Sequence, residues 1–194
     1  MTLSFVPHKI FNNLLKEEIQ PEVKSELLSY LCRINILYMI NNAGSGHIGT
    51  SFSSIDLMSW VFLKYVLDNS ASKNYFFSSK GHDAPAMYSV MSSLGLIDFN
   101  LIHKLRKIDG LPGHPDVNTP NVITNTGSLG MGISKAKGII KANRLKKRKC
   151  RVFVMTGDGE LQEGQFWESL MRVKQEHLHE LIIIIDNNKF QSDR

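Results

Sequence analysis

Two uninterrupted apolar runs constrain this chain more than any other feature. RVFVMTG, residues 151 to 157, and LIIIIDNN, residues 181 to 188, bracket the helical pattern GQFWESLMRVKQEH. Neither run alternates polar with apolar side chains, so each suits a parallel strand covered on both faces. Strand, crossover helix and second parallel strand make a β-α-β unit. The fold class that follows is α/β, a parallel sheet flanked by helices, with ligands expected beyond the carboxyl ends of the strands.

Polar residues collect at those ends. The first run leads into Gly157-Asp158-Gly159 and the second into Asp186-Asn187-Asn188. Neighbouring parallel strands deliver their tips side by side, so Asp158 and Asn188 are placed to converge. A carboxylate, an amide oxygen and a nearby backbone carbonyl are hard oxygen ligands. They suit Mg²⁺ or Ca²⁺ with positions left open for phosphate oxygens. The flanking glycines allow close backbone approach and leave amides for an anion. An isolated Gly-Asp-Gly is more often a turn whose aspartate caps the next helix. The Asn-Asn pair at the matching strand end distinguishes this one.

The remaining chain reads mostly as helix. Residues 1–20 form an arm or short helix, and 21–194 the domain proper. Val23, Leu27, Leu28, Leu31, Ile34, Leu37 and Tyr38 recur at helical spacing between Pro21 and Asn42, and Ala43-Gly44 stops that helix. GSGHIG follows, and Ser53 is expected to cap the next helix, through Leu63. NYFFSS reads as a short strand and GHDAPAMYSVMSSLGL as loop then helix. DFNLIHKLRKI reads as a further helix, and LPGHPDVNTPNVITNTGSLG as a long loop. GISKAKGIIKANRLKK is helical.

Composition narrows the function. The 194 residues allow one domain with a sizeable core, and 42% apolar content is ordinary for a soluble protein. No apolar run is long enough to span a bilayer, and the N-terminus carries no signal-peptide pattern. Cys32 and Cys150 lie far apart without metal-ligand spacing, which fits structural thiols in a reducing compartment and a cytoplasmic location. The net charge of +5 is concentrated in KANRLKKRKCR. That cluster ends a helix, where cations suit the dipole, and no aromatic residues interleave it, so it argues for a solvated face and not for nucleic-acid binding.

Gly-Asp-Gly followed by Asn-Asn resembles the thiamine-diphosphate motif. With AGSGHIGTSFSSIDLM, SSKGHDAPAMYSVMSSLG, LPGHPD and NTGSLGMGISKAKG, in that order, residues 24 to 194 resemble the amino-terminal half of transketolase, or a split subunit of it. Ile48 departs from the family, which usually has proline there. The resemblance implies that Asp158, Asn188 and the carbonyl of Phe190 hold the metal that bridges the diphosphate. It implies that the Gly159 amide and His82 contact diphosphate, and that Gly127 and Leu129 border the cofactor rings. His47 and His114 match catalytic histidines that contact substrate hydroxyls, and Glu163 matches a glutamate at the subunit interface. Each of these histidines sits beside glycine in a predicted loop; alone, each would more often be structural. Imidazole can donate a hydrogen bond or pass a proton near neutral pH. His8, His103, His177 and His179 lack such settings.

The implied activity is transfer of a two-carbon ketol unit from a ketose phosphate to an aldose phosphate, with thiamine diphosphate and Mg²⁺ or Ca²⁺. The family's glutamate that assists the aminopyrimidine lies on a pyrimidine-binding domain not found in this sequence. The expectation is therefore a chain shortened at its carboxyl end, inactive without a C-terminal subunit carrying that domain, in an (αβ)₂ assembly or a homodimer. Such an end is expected to leave a sheet edge unpaired. The alternatives are an enzyme of the 1-deoxyxylulose-5-phosphate synthase type, against which SKGHDAPAMY and LPGHPD argue, and a truncated non-catalytic remnant.

Overall fold

The computed structural model of the protein describes residues 3–67 and 72–189. In chain order the elements are α1 (His8–Lys16), α2 (Pro21–Ala43), α3 (Ile48–Val61), β1 (Tyr75–Ser78), α4 (Ala84–Ser93), α5 (Gly132–Leu145), β2 (Val152–Gly157), α6 (Gly164–Met171) and β3 (Leu181–Asp186). A π-turn at Phe62–Val66 extends α3, and 3₁₀ turns occupy Phe99–Lys104 and Asp158–Gln162. These elements form two compact units: Met1–Lys64 with His82–Asn125, and Tyr65–Gly81 with Thr126–Arg194.

The first unit is helical. In it α2 packs against α1, α3 and α4. The side of α2 turned to this core carries Leu28, Cys32, Ile36 and Met39, all fully buried. Small polar residues share the core: Ser29 on α2, Ser51, Ser54 and Ser59 on α3, and Ser89, Ser92 and Ser93 on α4 are buried too. Several of these hydroxyls bond locally or across the contact, Ser93 Oγ donating to Ser89 O at 2.7 Å and Ser89 Oγ to Cys32 O at 3.1 Å, whereas those of Ser51 and Ser59 have no partner among the described residues. Asn35 holds the N-terminal segment by accepting from Val6 N at 2.7 Å and donating to Val6 O at 3.2 Å.

Of the apolar residues whose spacing marks this helix in the sequence, Leu28 faces the core, but others do not. Val23, Leu27, Tyr30, Ile34 and Leu37 lie outside the core, between 37% and 55% exposed. Helix α2 is apolar on two sides. The side with serines and a cysteine lets neighbouring helices approach closely, and that side packs.

Three element boundaries also differ. Helix α3 starts at Ile48, directly after the GSGH loop, and Ser53 lies inside it. Its hydroxyl, like that of Ser54, bonds back to Thr50 O and caps nothing. DFNLIHKLRKI gives only a 3₁₀ turn, Phe99–Lys104. Leu105 then pairs with Leu111, and Arg106 and Asp109 take positive φ. Helix α6 ends at Met171, six residues before His177. The later carbonyls of Glu176 and His177 accept from the Arg144 guanidinium, at 3.1 and 2.6 Å.

The second unit holds a parallel sheet of order β1-β2-β3. Central strand β2 is buried along its whole length, as its continuous apolar run implies. Strand β3 is an edge among the described residues and only half-buried, with Ile185 44% exposed. Helix α5 packs on β2. Gly132 opens α5 so near β1 that a Cβ there would sit 2.5 Å from Ser79 Cβ. Any larger residue would push helix from sheet. The basic run that begins in the last turns of α5 is a solvated face partly paired within this unit: Lys141 with Glu176 and Arg144 with Glu180, each at 2.7 Å. Among the described residues no helix is long and apolar enough to cross a membrane.

Candidate functional site

The second unit gathers polar groups at its strand tips. Gly157 ends β2 opposite Asp186 at the end of β3. The next residue, half-buried Asp158, begins the 3₁₀ turn. Its Oδ1 accepts from Gly159 N at 3.0 Å and its Oδ2 from Lys189 N at 3.1 Å. The second bond joins the turn after β2 to the turn after β3, which carries Asn188. Asn188 Nδ2 donates to Asp186 Oδ2 at 3.4 Å. The structure thus brings Asp158, Gly159 and Asn188 together. Phe190 lies outside the described residues.

This donor set fits a hard divalent ion. Each carboxylate oxygen of Asp158 retains acceptor capacity beyond its one amide bond, and the oxygen of Asn188 lies on the opposite side of its amide from Nδ2. Among the described residues no cluster of three His, Cys, Asp or Glu side chains forms. One carboxylate, an amide and backbone oxygens is the ligand type that Mg²⁺ accepts when phosphate oxygens complete its shell.

Buried Glu160 organises the turns around this point. Its Oε1 accepts from Ser79 Oγ at 2.6 Å and Gly130 N at 2.8 Å; its Oε2 accepts from Gly157 N at 3.0 Å. One carboxylate therefore ties the end of β1, the loop before α5 and the end of β2. Gly127, at φ 101°, and exposed Leu129 belong to that tied loop. Glu163 is exposed at the head of α6, its amide donating to Glu160 O at 3.1 Å.

The helical unit gathers the glycine-flanked histidines. His47 precedes α3, and His82 stands two residues before α4. Their rings meet edge to face with centroids 5.3 Å apart. Arg106 Nη1 donates to Ser45 Oγ at 3.1 Å, linking the GSGH turn to the loop that carries His114. The His114 pKa is pushed below its ordinary value by partial desolvation, then by the positive charges of Arg106 and His47, with Asp83 opposing. Near neutral pH His114 is therefore an uncharged imidazole, able to donate or accept a proton. His103 instead bonds Tyr38 Oη at 2.7 Å, and His8 stacks on Phe99.

Sequence reasoning does not single out Glu160, Lys80 or Arg106. A signal for Glu160 exists, as a carboxylate two residues after Asp158 at a strand tip that needs its amides satisfied. Lys80 and Arg106 give none, because their partners are distant in sequence.

The family described as "Transketolase, thiamine diphosphate binding domain" matches residues 24–194. A subunit of the apulose-4-phosphate transketolase of Actinobacillus succinogenes is 33% identical over 187 residues, covering 92% of this chain and 66% of that protein. Human transketolase is 34% identical over 169 residues, covering 83% of this chain and 27% of that one. The chain thus spans just under two thirds of the first relative and about a quarter of the second. Among solved structures, a Pichia stipitis transketolase mutant superposes with TM-score 0.76 at 25% identity, covering 90% of this chain and 28% of the other. With its parallel sheet, the motifs at its strand tips and a family match over residues 24–194, this chain belongs to the thiamine diphosphate binding domain family of transketolases.

Proposed function

We propose that this chain is the diphosphate- and metal-holding part of a two-component transketolase. The observation that carries the reading is the bond from Lys189 N to Asp158 Oδ2, which draws both strand-tip turns together with Asp158 and Asn188 on them. Asp158 and Asn188 would hold Mg²⁺, with Phe190 supplying a backbone oxygen, and Gly159 would turn its amide to diphosphate. Gly127 and Leu129 would border the cofactor rings. When bound, thiamine diphosphate supplies the reactive carbon that takes a ketol unit from a ketose phosphate and gives it to an aldose phosphate.

His82 would bind diphosphate, while His47 and His114 would hold substrate hydroxyls. A neutral His114 suits that work, since it can accept or donate without adding charge. Because a relative that is itself one subunit of a transketolase shares this stretch, the partner we assign is a C-terminal subunit with the pyrimidine domain, in an (αβ)₂ assembly with Glu163 at the interface. A cytoplasmic location accords with two free, buried thiols.

Calorimetry tests the core of the reading. Thiamine diphosphate titrated into the concentrated chain with Mg²⁺ is expected to give heat that vanishes without Mg²⁺ and in Asp158→Ala. The fold should persist in that variant, because Asp158 is a half-buried turn residue. Equal binding by parent and variant overturns the assignment, as does an absence of binding by the parent both without and with a C-terminal partner. For the whole activity, the chain alone should transfer no ketol unit; transfer without the partner would overturn the two-component reading.

A further inference from the structure

Lys80 and Asp186 lie at the same strand tips and take no part in that scheme. Lys80 follows β1 and its side chain is 2% exposed. Its Nζ sits 2.7 Å from Asp186 Oδ2 at the end of β3, so the side chain spans from the first strand to the third past the tip of the second. Gly157 gives it room: a Cβ there would lie 3.0 Å from Lys80 Cδ. The register sets Asp186 opposite Gly157, the residue before Asp158. Two carboxylates therefore end adjacent strands, and a buried cation is laid against one of them.

The chemistry of the site gives that cation a purpose. If both aspartates faced one divalent ion, it would gain oxygen ligands and negative charge, and fewer positions would stay open for phosphate. Such a site suits Ca²⁺, which takes six to eight oxygens in flexible geometry, better than Mg²⁺, which demands a near-ideal octahedron of six and keeps several waters in it. We propose that Lys80 is a positioning residue: by pairing with Asp186 it keeps that carboxylate off the metal, so that Asp158 is the one acidic ligand. Asp186, so held, also accepts from Asn188 Nδ2 at 3.4 Å, a long contact that an asparagine oxygen at position 186 can equally accept. This proposal rests on the reading of Asp158 and Asn188 as metal ligands.

The test titrates MgCl₂ and CaCl₂ separately into the chain with thiamine diphosphate, by calorimetry. Lys80→Met, checked for folding by circular dichroism, is expected to shift the Ca²⁺-to-Mg²⁺ affinity ratio about tenfold towards Ca²⁺. An unchanged ratio in the folded variant overturns the proposal. Losing one partner of a buried ion pair can unfold a protein, so the double variant K80M/D186N, which removes the pair with no change in net charge, is measured as well. It should bind both ions within about threefold of the parent, as ordinary context scatter allows. A larger loss would mean that Asp186 is itself a ligand, and overturns the proposal even if K80M does not fold. Asp158→Ala separates the two failures: binding that survives it unchanged refutes the ligand assignment, whatever Lys80 does.

Discussion

Glu160 is 1% exposed, and the groups bonded to its carboxylate are all donors: one hydroxyl and two backbone amides. A carboxylate can accept from all of them. An amide of the same shape must aim its NH₂ at one of them, leaving a buried donor without an acceptor. Glu160→Gln should therefore cost about 1–3 kcal/mol of stability, read by urea denaturation, and should also weaken Mg²⁺-dependent cofactor binding through the Gly157 turn. A neutral result in both would mean the three bonds are dispensable. His114 offers a second test at this scale. Removing a nearby cation should relieve part of its depression, so Arg106→Ala is expected to move its NMR titration upward towards 6.5, the ordinary histidine value. The glycine beside each of the three histidines makes them legible in the sequence. Glu160 leaves only the hint of a carboxylate at a strand tip and Lys80 none, because what defines them is burial beside residues as far as 81 and 106 positions away.

At the scale of elements, periodicity and strand composition carry most of what the sequence reveals. Continuous apolar runs locate β2 and β3, and Gly44 stops α2 where expected, in a left-handed conformation. Where expectation and structure part, local pattern competes with packing. The spacing Val23, Leu27, Ile34, Leu37 is as regular as that of the buried face, and only the small residues opposite decide between them. The two faces should respond differently to substitution. Leu27→Lys and Ile34→Lys should each leave stability within about 0.5 kcal/mol, as for surface changes. Leu28→Ala, on the fully buried face, should cost about 2–5 kcal/mol. Thermal melts of the three variants check this, and a large loss in the lysine variants would show that the exposed stripe is packed in solution. Helix ends are less legible than helix centres. The turns that follow α6 are tied down by Arg144, which approaches from another helix.

For the whole molecule, the burial that makes the thiols structural also sets a pH limit. Cys32 is fully buried between α2 and α4, and desolvation pushes its pKa up from 9.0 to about 11, against the lowering effect of hydrogen bonds from Ser89 and Ser93. The folded pKa lies above the unfolded one, so the contribution to stability is complete below pH 9 and is lost as pH rises towards 11. Each pH unit between those values removes about 1.4 kcal/mol, roughly 3 kcal/mol in all. Tyr88, raised first by desolvation and then by the Asp116 charge, adds to the loss above pH 10. Urea unfolding at pH 8, 9, 10 and 11 should show a plateau and then a fall. Cys32→Ala should make the fall between pH 9 and 10 shallower, leaving the part due to Cys150, whose thiol is also raised by burial. At pH 8 the folded chain should resist thiol reagents, and both cysteines should react once it is unfolded. A fall between pH 9 and 10 that is as steep in Cys32→Ala as in the parent would show that some other group sets the limit.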